Sequence, residues 1–87
     1  MKIDKEKIIK NICCTDLVYG RINKKLGTSF SEKEIESLML KILSETGLKD
    51  FSKTGKNYYV TNRSHNIRIT INSYTFRIIT VDKLSSN

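Results

Sequence analysis

Tyr59, Arg68 and Arg77, all in the last third of the chain, carry the most usable chemistry of any set of residues in this sequence. Each guanidinium is a planar fork that grips a phosphate or a carboxylate through two parallel hydrogen bonds. A tyrosine ring beside them stacks on a nucleobase or on an arginine. Lys56 and Arg63 stand in the turns before and after the Tyr59 segment. A second basic group, Arg21, Lys24 and Lys25, puts Arg21 and Lys25 one helical turn apart on one face, with Lys24 beside them. The alternative reading of both groups is a solvated polar surface, an ordinary use for arginine, lysine and threonine.

The inventory for catalysis is short. His65 is the only histidine and lies in or beside the turn Asn62-Arg63-Ser64-His65. With Arg63, Lys56 and Tyr58 or Tyr59 it sketches a metal-independent ribonuclease, the histidine moving a proton and the cations stabilising a pentavalent phosphate. The plainer reading is a polar turn residue. Cys13 and Cys14 are adjacent, lack C-x-x-C spacing and read as small core or boundary residues of the first helix, so no metal site is expected. No cofactor motif is present. Asp16 and Asp50 read as capping or loop acids.

The net charge of +7 is unevenly spread. From residue 51 onward there are six bases (Lys53, Lys56, Arg63, Arg68, Arg77, Lys83) and one acid, Asp82, whereas the first fifty residues carry ten bases against eight acids. Positive charge concentrated on a small domain points to a polyanionic partner. The 87 residues suit one domain, with a helical part at about 4–47 and a β-meander at about 56–82. No apolar run approaches a membrane span. The mixed-charge start Met1–Lys7 is unlike a secretory signal, and two adjacent cysteines fit a reducing cytoplasm.

Helical signals fill the front of the chain. Asp4 caps a segment with Ile8, Ile9 and Ile12 at helical spacing, Thr15-Asp16 opens a second one ending at Gly27, and the two form either separate helices or one bent helix. Ser31 and Glu34 make a capping box ahead of Ile35, Leu38, Met39, Ile42 and Leu43, and Gly47 supplies the stop. After the basic loop 53–56 the pattern turns to alternation: Tyr58 and Val60, then Ile67, Ile69 and Ile71, then Phe76 and Ile78.

A two-residue turn at Asn72-Ser73 pairs Ile71 with Tyr74, Ile69 with Phe76 and Ile67 with Ile78, which puts all six on one face. Val60 then pairs with Ile67 and Tyr58 with Ile69. The expected fold is α+β, two or three N-terminal helices packed on a three-stranded antiparallel meander. In this register Tyr59, Arg68 and Arg77 form one row on the outer face, with Thr61, Thr70, Thr75 and Asn57 around them. Arg68 opposite Arg77 is a like-charge conflict costing up to about 1 kcal/mol, of the kind that occurs at functional sites. Ile79 and Val81 alternate outward and suggest a covered apolar patch. The edges, Tyr58–Thr61 and Thr75–Val81, are open to a partner or a second copy. A winged-helix reading is disfavoured because Glu32, Glu34, Glu36 and Glu45 on the third helix would repel a phosphate backbone.

The stretches Asn11–Gly27 (NICCTDLVYGRINKKLG) and Gly55–Asn62 (GKNYYVTN), the latter running on to Ile67–Asn72 (IRITIN), resemble a family of short bacterial proteins of unknown function, chiefly from low-GC Gram-positive bacteria. The resemblance implies a bacterial, cytoplasmic, single-domain protein, and it supplies no activity and no site residues. Three functions then compete: a non-enzymatic nucleic-acid-binding protein centred on Tyr59, Arg68 and Arg77; a protein-interaction module, such as a mobile-element-borne small regulator or inhibitor docking on an acidic protein surface, homodimers included; and a ribonuclease dependent on His65.

Overall fold

A computed structural model describes residues 3–84, so Met1 and Lys2 of the mixed-charge start lie outside the described residues. Three separate helices come first: α1 (Lys5–Asn11), α2 (Asp16–Leu26) and α3 (Glu32–Glu45). Asp4 opens α1 by accepting from the Lys7 amide at 3.0 Å. Gly27, at φ 69° and ψ 38°, closes α2 in the left-handed conformation that costs glycine nothing. The capping box at α3 forms in both directions, Glu34 N donating to Ser31 Oγ at 3.2 Å and Ser31 N to Glu34 Oε1 at 2.8 Å. The last turn of α3 contains no base, and the cation its negative end favours comes from α1. Lys5 Nζ donates to Ser44 O at 3.0 Å and to Thr46 O at 2.6 Å, 5.9 Å from the centre of the Phe51 ring.

A short 3-10 turn (Leu48–Asp50) leads into four antiparallel strands in the order β1 (Phe51–Thr54), β2 (Asn57–Asn62), β3 (Ile67–Asn72) and β4 (Ile78–Lys83). One apolar cluster joins the layers: Ile8, Val18, Ile22, Ile35, Met39, Ile42 and Leu43 from the helices meet Phe51, Val60, Ile67, Ile69, Ile71, Ile78 and Val81 from the sheet. A fully buried side chain of this size contributes about 1.5–3 kcal/mol, and a short chain needs nearly all of them.

The architecture is the expected α+β, with one strand more than the three read from the sequence. β1 was missed because Phe51 is its one buried residue and the other three are exposed, so it carries no alternation. Its pairing makes β2 an inner strand, which removes Tyr58–Thr61 as an open edge. Register differs as well. Tyr58 faces Ile71 and Val60 faces Ile69, a two-residue shift that keeps the same side chains inward.

The third hairpin departs further. Asn72 and Ser73 do not form a two-residue turn; Asn72 Oδ1 accepts from the amides of Tyr74 (2.8 Å) and Thr75 (2.9 Å) and heads a longer loop. Phe76 then adopts φ 59°, the left-handed region, where a bulky residue costs about 1–2 kcal/mol. Pairing resumes at Ile71 with Ile78, and an extra residue, Ile79, is bulged before Thr70 meets Thr80 and Ile69 meets Val81. The bulge inverts the alternation. Val81, expected outside, is fully buried, and Ile79 is half-buried.

The outer edge of β4 is also occupied. Cys13, in the link between α1 and α2, forms a parallel bridge with Arg77: its amide donates to Phe76 O at 3.0 Å and its carbonyl accepts from the Ile78 amide at 2.9 Å. The body of α2 packs along β4. The Thr75–Val81 segment is therefore no free edge, and the exposed Cys13 lies beyond α1 rather than in its core face. No helix among the described residues is long and apolar enough to cross a membrane.

Candidate functional site

The expected row of Tyr59, Arg68 and Arg77 does not form, because the loop and bulge displace everything after Asn72. Arg68 lies opposite Asp82, not Arg77. An acid rather than a second arginine stands across from Arg68, so the expected like-charge conflict does not arise. The Asp82 carboxylate pairs instead with α2: its Oδ1 accepts from Lys25 Nζ at 2.9 Å across an exposed ion pair. Lys25 is thus tied to β4, and Arg21 Nη1 reaches Ile79 O at 3.4 Å, so the Arg21–Lys25 face of α2 clasps the sheet edge. Lys24 stays exposed.

Tyr59 and Arg68 do come together. They sit on adjacent strands one diagonal step apart, Tyr59 facing Thr70 and Arg68 facing Thr61. Arg68 Cζ lies 6.0 Å from the Tyr59 ring centre, at the outer limit of a cation–π contact. Asn57 Nδ2 donates to the Tyr59 hydroxyl at 3.5 Å. Thr61 is half-exposed beside Arg68, whereas Thr70 is buried beneath its neighbours and Thr75 belongs to the loop rather than the sheet. Lys56 is in the turn before β2 and Arg63 in the turn after it. At about 3.3 Å per residue they bracket roughly 20 Å of strand, with Tyr59 and Arg68 between them.

The ribonuclease set is not assembled. His65 packs at the Arg63 end of β2, where its amide donates to Asn62 Oδ1 at 2.8 Å. Its Nδ1 lies 3.2 Å from that oxygen and 3.8 Å from Glu45 Oε1. Lys56 is at the other end of the strand. Tyr58 is turned to the helix side, where its ring centre lies 6.4 Å from that of Phe76. Asn62, adjacent in sequence to the turn, is itself structural: its Nδ2 donates to Thr46 Oγ1 at 2.9 Å and that hydroxyl donates to Ile42 O at 2.6 Å.

The family model described as "Protein of unknown function (DUF3781)" matches residues 6–82, from α1 to β4. The chain belongs to this family. No curated protein and no solved structure matches it. Membership in DUF3781 brings no assigned activity, so the chemistry rests on the geometry of this chain.

Two features of this DUF3781 chain were not foreseen. Displaced from the sheet face, Arg77 lines a cavity of about 240 Å³ at the start of α2 together with Arg21, Leu17, Val18 and Ile79. The sequence signal for it was the mutual position of Arg77 and α2, which no local pattern carries. The second feature lies between α1 and α3, where Cys14 and Glu36 border a cavity of about 200 Å³. The Tyr19 hydroxyl donates to Glu36 Oε2 at 2.5 Å, which holds the phenol proton well above its ordinary range. Burial pushes the Cys14 thiol from 9.0 up to about 11; the Glu36 carboxylate and Cys13 add to this, while a hydrogen bond with Tyr19 opposes it. That thiol is a poor nucleophile.

Proposed function

We propose that the protein binds single-stranded nucleic acid without cleaving it, through the outer face of the β2–β3 hairpin. The carrying observation is the Tyr59–Arg68 pair, an aromatic ring and a guanidinium 6.0 Å apart on the sheet face. The ring offers a base a stacking surface and the guanidinium takes the adjoining phosphate. Lys56 and Arg63 extend the cationic track in both directions along β2, over roughly 20 Å at the rise of a strand. The excess of six bases over one acid after residue 50 supports the same reading. Its setting is a bacterial cytoplasm.

The test is binding of fluorescent oligonucleotides by the purified, nuclease-treated protein across a salt series. Three phosphate contacts (Lys56, Arg63, Arg68) give a log–log salt slope of about −2 for a single strand, at about −0.7 per contact. Arg68→Ala lowers the slope by about one third. Tyr59→Ala weakens binding by about 1–3 kcal/mol with the slope unchanged, because stacking releases no counterions. The reading fails if no oligonucleotide binds at low salt, or if both variants bind as tightly as the parent.

A further inference from the structure

We infer that the cavity between the start of α2 and β4 is a docking site for an acidic segment of a partner protein, one that carries an aliphatic side chain next to its carboxylates. Two cationic side chains, Arg21 and Arg77, line this one small cavity with no acidic residue among its lining. Asp16, the nearest acid in sequence, does not line it, and Asp82 is held by Lys25. Arg77 has no side-chain hydrogen bond or ion pair among the described residues, and Arg21 makes a single 3.4 Å contact to a carbonyl. Two guanidiniums sharing a space without a counter-anion repel one another, and a carboxylate between them reverses the sign.

The remaining wall decides which anion. It is aliphatic: Leu17, 84% exposed at the first turn of α2, with Val18, Ile78 and Ile79. No aromatic ring is present for a base to stack on, which separates this site from the Tyr59 face. Arginine is enriched at interface centres, and the apolar wall beside it gives a partner's aliphatic side chain a surface from which both exclude water. The Thr15 hydroxyl, which does not cap α2, is one more donor at the rim. Charge complementarity with a chain of net +7 selects an acidic partner over a second copy of this protein.

The experiment uses a labelled twelve-residue peptide of alternating glutamate and leucine, its glutamine–leucine counterpart, and an oligothymidylate of similar length, read by anisotropy and by amide shifts of the ¹⁵N-labelled protein. The acidic peptide is expected to bind, with shifts centred on residues 15–21 and 77–79, while the glutamine peptide does not. Arg77→Gln and Leu17→Ser should each weaken binding about five- to tenfold, the range for a truncated interface anchor. Lys41→Gln, which removes the same unit of charge from α3, should leave it unchanged. The inference is overturned if Leu17→Ser has no effect, if Lys41→Gln weakens binding as much as Arg77→Gln, or if the oligothymidylate competes with the peptide for the shifts at residues 15–21.

Discussion

Replacing Asn62 with alanine removes one hydrogen bond that joins the β2–β3 turn to the end of α3 and one that closes the turn itself. The side chain is 6% exposed; it donates to Thr46 Oγ1 at 2.9 Å and accepts from the His65 amide at 2.8 Å. Each bond contributes about 0.5–1.5 kcal/mol net, and the emptied volume adds to the loss, so Asn62→Ala should cost about 2–3 kcal/mol. A domain of this size has about 4–13 kcal/mol in all, and its melting temperature should fall by about 10–20 °C. Asn62→Asp separates the two bonds. It keeps an acceptor for His65 but sets a carboxylate against Thr46 Oγ1, whose proton already goes to Ile42 O at 2.6 Å. The aspartate variant should be the less stable of the two at pH 7 and recover toward the alanine variant at pH 4, as the buried carboxyl takes up a proton. Urea denaturation followed by circular dichroism gives the stabilities, and hydrogen exchange at the His65 amide reports the turn. A loss below about 0.5 kcal/mol for Asn62→Ala, or unchanged exchange at His65, would refute this account of the buried network.

Two further outcomes are expected. At Phe76 the usual order of helix- and strand-compatible residues should invert: Phe76→Gly should be about 1 kcal/mol more stable than Phe76→Ala, since both lose the ring but only alanine keeps the strain of φ 59°. Equal stabilities in thermal melts would contradict that. Cys14, with its thiol at about 11, is roughly 0.1% ionised at pH 8, about a hundredfold less than a thiol at 9.0; the stronger nucleophilicity of its thiolate offsets about tenfold of that, so its alkylation by iodoacetamide should be about tenfold slower in the folded protein than in urea. Cys13→Ser leaves that slow phase alone to be followed by mass spectrometry. Because folding raises this pKa, its contribution to stability is complete below pH 9 and is lost as pH rises toward 11.

Where local chemistry sets structure, the sequence was readable. Ser31 and Glu34 announced the start of α3, Gly27 the stop of α2, and the alternation of Ile67, Ile69 and Ile71 a strand with one buried face. The failures after Asn72 share a cause: they depend on residues whose local pattern is overruled from a distance, whereas β1 (Phe51–Thr54) carries no pattern to read. Phe76 takes a conformation that a bulky side chain avoids, held there as its carbonyl accepts from Cys13 and its amide donates to Asn72. That one bend, with the bulge at Ile79, moved Arg77 off the sheet face and turned Val81 inward. Tyr59 and Arg68, two of the three residues of the expected row, are still neighbours because both precede the bend. Their mutual placement needed only parity within the β2–β3 hairpin, and a two-residue slip preserves parity.

The bridge between Cys13 and Arg77 has a consequence for the order of events during synthesis. The partner of residue 13 emerges from the ribosome 64 residues later, so the link between α1 and α2 cannot reach its final place until the last strand is made. Long-range closures of this kind come late in folding, after the local helices and the neighbouring hairpins. Until then Val18 and Ile22 of α2 lack β4, the strand along which their helix packs, and the growing chain presents an unfinished core that holdase chaperones would recognise. Closure of the fold is therefore timed by translation of β4.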